Sequence, residues 1–206
     1  MSDTLLENIQ QYFPYYLTAA DKRDLYAEIR RFPNNKEFYL ANIYQNKTLQ
    51  GDGWRSFVLA NIESSEKKSI SGVVVSNSCD IDPDNGLREG QKILFAPLIR
   101  LLKYTEEMHR QGVSQQEIER NLDNIRKQCI SHVFYLPEWT GYLDESIVML
   151  DDINSNPLSC FLEQRPQKIF CLNQFAHYLF LIKISIHFTR LREGLRRYPD
   201  ATNTAG

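Results

Sequence analysis

Three valines in succession, Val73, Val74 and Val75, run straight into Ser76, Asn77, Ser78, Cys79 and Asp80. Consecutive apolar residues fit a strand buried on both faces, because successive side chains point opposite ways. The small polar and ionisable residues at its end must find partners or face a cleft. A chain of this kind must build a covered sheet and leave a polar loop at one strand end. That loop is where a site is expected.

Around this stretch the elements follow in a mixed order. Thr18 and Asp21 form a capping box, and Leu25, Ile29 and Phe32 give a helical stripe that stops at Pro33-Asn34-Asn35. Lys36 to Asn46 is read as helix, against a strand alternative. Gly51-Asp52-Gly53 is a turn, and short runs follow it: strands at Arg55–Ile62, Ile70–Ser76 and Lys92–Ala96, with a polar hairpin at Glu63–Ser69. Pro97 is expected to open a helix from Leu98 to about His109. Ser114 and Glu117 cap the next one, which carries Ile118, Leu122 and Ile125 on one face. Strands resume at His132–Leu136, Ser146–Leu150 and Gln167–Leu172, with a turn at Asn154–Pro157. One long helix runs from Asn173 to about Arg197.

This order predicts a single α+β domain: a small antiparallel barrel with helical decorations. Residues 1–50 form a helical N-terminal extension, 51–172 the barrel with a helical insertion at 98–130, and 173–198 the closing helix. A chain of 206 residues buries enough surface to need no staples.

A net charge of -2 and a pI near 6.1 argue against a general nucleic-acid coat but leave room for a local basic patch. Cys79, Cys129, Cys160 and Cys171 lie far apart, so no zinc ribbon or CxxC redox motif is expected. MSDTLLENIQ does not read as a signal peptide. Phe175–Phe188, the longest apolar run, is interrupted by His177, Lys183 and His187. These features predict a cytoplasmic protein with reduced thiols and no membrane partner.

Gly51-Asp52 leads into Arg55–Ile62. Gly72 to Ser76 is a strand ending in Ser. Ile93 to Pro97 is a strand closed by Pro, and Val148 to Ser155 is an apolar run ending in Leu150-Asp151 and a turn. In this order, residues 51 to about 180 resemble the small SH3-like barrel of MazF/PemK-type toxins, which are ribosome-independent mRNA endonucleases. The resemblance implies a bacterial protein of a toxin-antitoxin or defence locus. It does not carry the activity across. Ser71 and Gly72 stand where that family has an Arg-Pro pair, and Ile99 stands where it has Thr or Ser. Function belongs to sites rather than folds.

Three clusters could carry chemistry. Asp80, Asp82 and Asp84 alternate before Asn85-Gly86, either as a strand-connecting turn or as ligands for a divalent metal ion. Asn85 and Gln91 occupy places where a calcium loop needs Gly and Glu. Cys79 would need a base to become a nucleophile; the alternative is a structural thiol. Lys183, His187 and Arg190 fall on one face of the closing helix, as a solvated stripe or as cations facing the acidic loop.

Two functions follow. One is a binding or assembly module that recognises a protein or nucleic-acid partner. The other is a phosphodiesterase or nuclease with Asp80, His187 and Arg190 as catalytic groups, Ser76, Asn77, Ser78, Cys79 and Lys183 for binding, and a metal on Asp80, Asp82 and Asp84. The sequence does not fix the oligomeric state; a homodimer is compatible with it.

Overall fold

The computed structural model describes residues 13, 17–32, 37–41, 43–60, 65–86 and 88–189. Among them are eight strands: β1 (Tyr39–Leu40), β2 (Gly53–Ala60), β3 (Lys67–Val74), β4 (Lys92–Arg100), β5 (Val133–Leu136), β6 (Ser146–Met149), β7 (Asn154–Pro157) and β8 (Lys168–Leu172). The helices are α1 (Ala19–Arg31), α2 (Ser78–Ile81), α3 (Leu101–Arg110), α4 (Gln115–Arg126), α5 (Leu158–Glu163) and α6 (Gln174–Thr189). The protein is α+β. Every strand pairing is antiparallel, in the order β1-β8-β2-β3-β4-β6-β5, with β7 on β4 beside β6.

Helices cover both faces of this sheet, which explains the continuous apolar runs. Val73 and Val74 have no exposed surface, yet they enter different clusters. Val73 joins Ala96, Phe134, Val148 and Phe170 beneath α1 and α6. Val74 joins Trp54, Phe57, Phe95 and Phe161 beneath α2 and α5. A third cluster, Val133, Tyr135 and Ile147, lies under Leu101 of α3 and Ile125 of α4. All four residues of β5 are therefore buried.

The capping box predicted at Thr18 is present, and the one predicted at Ser114 is present as its side-chain cap. The Thr18 Oγ1 accepts from the Asp21 amide at 3.2 Å, and the Asp21 carboxylate accepts from the Thr18 amide at 3.1 Å. Ser114 caps α4 through the Glu117 amide at 3.3 Å.

Several expectations are corrected. The strand containing Pro97 does not end there: β4 continues to Arg100, and the following helix starts at Leu101 rather than Leu98. Along one edge β4 pairs with β7 up to Phe95 and with β6 from Leu98, so Pro97 sits at the changeover, where its missing N–H costs no ladder bond. Asn154–Pro157 is a strand, not a turn. Within 36–46 the regular element is β1, a strand pairing with Leu172 and Cys171.

The pairing among the described residues does not close into a barrel; β1 and β5 are its two ends. A side chain nevertheless spans one gap. The Val58 amide of β2 donates to Asn156 Oδ1 of β7 at 2.8 Å, and Asn156 Nδ2 donates to the Val58 carbonyl at 2.8 Å. The carboxamide supplies one donor and one acceptor, as a neighbouring strand would. A bulge between Trp54 and Phe57, with Ser56 at φ 76°, interrupts β2 just before this contact.

Candidate functional site

The loop after β3 is polar and lies on the surface, as expected, but its residues are largely occupied with one another. Asn77 Oδ1 caps α2 by accepting from the Cys79 amide at 2.9 Å. Ser76 Oγ accepts from the Leu94 amide at 2.8 Å, and Ser78 Oγ from the Gln50 amide at 2.9 Å. Asp82 Oδ1 accepts from the Asp84 amide at 3.0 Å, and its Oδ2 lies 3.8 Å from Lys47 Nζ. Asn85 and Gln91 donate side-chain amides to the carbonyls of Cys79 and Asp80. The Asp80-Asp82-Asp84 run therefore builds a turn. No grouping of His, Cys, Asp and Glu suited to a metal ion occurs among the described residues. Beside the turn is an open polar groove of about 650 Å³, lined by Asn77, Asp80, Arg88 and Lys92 among others.

The predicted cationic stripe of α6 does not reach this loop through Lys183. Lys183 is buried, and its Nζ donates to the carbonyls of Gln128 at 2.9 Å and Ile130 at 2.6 Å, just past α4. Burial lowers its pKa to about 7. His187 stacks edge-on against Phe188, and Arg190 lies outside the described residues. The α6 residue that does approach the loop is His177. With Ser78, Asp52 and Cys171 it lines a pocket of about 180 Å³. Burial lowers the His177 pKa, and burial beside the Asp52 carboxyl pushes the Cys171 thiol up to about 12. A neutral imidazole beside a protonated thiol is not an activated nucleophile.

Asp52 is held by a cation 116 residues away in sequence. Lys168 Nζ bonds Asp52 Oδ2 at 2.6 Å and the carbonyls of Tyr44 at 2.7 Å and Lys47 at 2.5 Å, and it lies 4.9 Å from the Trp54 ring centroid. Both side chains of the pair are buried. Burial raises the Asp52 pKa, while Lys168 draws it back. This pair fastens the 44–52 segment to β8.

A different surface gathers ligand-binding chemistry. Strand β3 pairs with β2 from Lys67 to Val73, but with β4 only at Gly72–Val74. Beyond Pro97, β4 turns to β6, so the two strands splay apart. Gly72 is at the fork: a Cβ there would lie 2.8 Å from Phe57 and 2.9 Å from Phe95, whose rings stack at 4.1 Å. Any side chain at this position would press on that ring pair.

A groove of about 630 Å³ lies at the splay. Arg55, Lys68, Arg100 and Lys103 line it together with Asp144 and Asp152, so cations outnumber carboxylates in a protein of net charge -2. Arg100 pairs with Asp144 at 3.6 Å, both exposed. Ile70, Leu98 and Leu143 add apolar surface.

Tyr142 stands at the groove with 70% of its surface exposed. It ends a column of stacked rings: Tyr39 on Trp139 at 5.1 Å and 13°, and Trp139 on Tyr142 at 4.6 Å and 30°. Tyr39 is anchored by its hydroxyl, which donates to the Pro137 carbonyl at 2.6 Å. Trp139 and Leu143 exchange backbone hydrogen bonds of 2.8 and 2.9 Å, which hold the turn carrying Tyr142. In the sequence, the group Phe134-Tyr135-Leu136-Pro137-Glu138-Trp139 could stack bases or fill a core; nothing in it points to Tyr39, about a hundred residues away, or to the cations of the splay, whose linear signal is a scatter of exposed basic residues.

No family model matches this chain, and no curated protein matches it.

Proposed function

We propose that this protein is a binding module for single-stranded nucleic acid, held in the groove between β3 and β4. The observation that carries this reading is the ring column Tyr39–Trp139–Tyr142, which ends beside Arg55, Lys68, Arg100 and Lys103. A stacking platform next to a cationic groove is the arrangement that holds bases and phosphates without reading sequence. The ring of β2, β3, β4 and β7 joined by Asn156 is what we read as a small SH3-like barrel, in keeping with the MazF/PemK resemblance. That resemblance also favours a bacterial toxin-antitoxin or defence setting and a cytoplasmic location. Among the described residues no helix is long and apolar enough to cross a membrane.

The test is fluorescence anisotropy with a labelled single-stranded oligonucleotide across a salt series. Three engaged phosphates give a log–log salt slope of about -2. Tyr142→Ala should weaken binding by about 1–3 kcal/mol through lost stacking. The Lys68→Glu/Lys103→Glu double variant should flatten the salt slope. Binding that ignores both changes would remove this groove as the ligand site.

A further inference from the structure

A separate groove of about 480 Å³ lies between α1 and α6. Its apolar lining is Leu25 of α1 with Phe175 and Tyr178 of α6. Leu25 is buried, and Phe175 packs inward against Phe32 and Phe38, with ring centroids 6.4 and 6.1 Å away, so this lining is backed by core. Among the described residues the charged groups lining it are all carboxylates: Asp21, Asp24 and Glu28. They recur at i, i+3 and i+7 on α1 and so form one acidic rim about two turns long. Asp21 is committed to the α1 cap and Glu28 pairs with Arg31 at 3.1 Å, while Asp24 is exposed.

We infer that this groove docks a basic amphipathic helix of a protein partner. A third helix laid along two others buries its own apolar stripe in the groove between them. Its anchors recur at i, i+3 or i+4, and i+7, the same spacing as the acidic rim. Lysine or arginine flanking a leucine-like stripe then meets Asp21, Asp24 and Glu28 while the stripe meets Leu25, Phe175 and Tyr178. Nucleic acid is repelled by the same rim, so this surface and the cationic groove of the sheet select different partners.

The probe is a fluorescein-labelled helix of about 18 residues, made only of leucine and lysine, with leucine along one face. It is titrated into the full chain at low salt, beside a scrambled peptide of identical composition and a leucine/glutamate helix. The leucine/lysine helix should bind about tenfold more tightly than the scrambled peptide. The Asp24→Lys/Glu28→Lys variant should lose at least about fivefold of that affinity. Both positions are at the surface, so circular dichroism should report an unchanged fold, and oligonucleotide binding should be unaltered. Equal affinity for the scrambled peptide, or indifference to the double substitution, overturns the inference. So does a dimer in sedimentation equilibrium that the double variant turns into a monomer, which would make a second copy of this chain the occupant. Loss of oligonucleotide binding alone would count against the sheet groove and leave this one standing.

Discussion

Replacing Lys183 by methionine should make the protein's stability respond differently to pH, in a direction that can be worked out in advance. Lys183 sits buried on α6 with, among the described residues, the carbonyls of Gln128 and Ile130 as its hydrogen-bond acceptors. Those carbonyls follow the C-terminal end of α4, where the helix dipole favours a cation by at most about 2 kcal/mol. Removing an ammonium from water costs several kcal/mol, so desolvation wins and the folded-state pKa falls from 10.5 to about 7. The unfolded chain then binds more protons than the folded one between those two values. Stability from this group must rise with pH across that window, by about 1.4 kcal/mol per unit, and be flat below it. Between pH 7 and pH 9 the wild type should gain about 2–3 kcal/mol relative to Lys183→Met. The neutral amine still offers two N–H groups to the two carbonyls, so the tether survives deprotonation. Urea melts of both proteins at several pH values give the difference directly. Other groups titrate in both proteins and cancel. A difference that stays level over this range, or falls, would mean the ammonium is better solvated than its burial implies, and the desolvation argument fails.

Three further outcomes follow from other contacts. Asn156→Ala leaves the amide and carbonyl of Val58 without their side-chain partner and should cost about 1–3 kcal/mol, read as a lower urea midpoint; Asn156→Asp should cost more, because a carboxylate would face the Val58 carbonyl. Lys168→Met strands the buried Asp52 carboxylate and should cost about 3–5 kcal/mol, while the Lys168→Met/Asp52→Leu double variant should recover part of that in a thermal melt. Thr18→Ala removes the side-chain acceptor of the α1 cap and should lower stability by about 1 kcal/mol, with oligonucleotide affinity unchanged.

Elements whose sequence carried a local rule were legible. The capping residues Thr18 and Ser114 announced α1 and α4, and the apolar runs at Val73, Val133 and Ile147 announced strands covered on both faces. What failed depended on distant partners. Strand β7 is polar (Asn154, Ser155, Asn156) and is a strand because β4 is long enough to hold both it and β6. Pro97 reads as a boundary locally, yet the pairing of Leu98–Arg100 with β6 carries the strand past it. The polar loop after Val75 is where the sequence places it, whereas Lys183, one of the cations expected to face it, is held instead by the carbonyls of Gln128 and Ile130. The ring column and the splay between β3 and β4 arise from residues far apart in the chain, and no spacing rule could assemble them.

The amide that joins β7 to β2 has an unusual neighbour. Asparagine ages by losing ammonia through a cyclic imide, which forms when the nitrogen of the next residue attacks the side-chain carbonyl. After Asn156 that nitrogen belongs to Pro157, which carries no hydrogen to give up. The fastening of the two strands is thus shielded, by the residue beside it, from the slow chemical decay that would turn its donor into a negative charge.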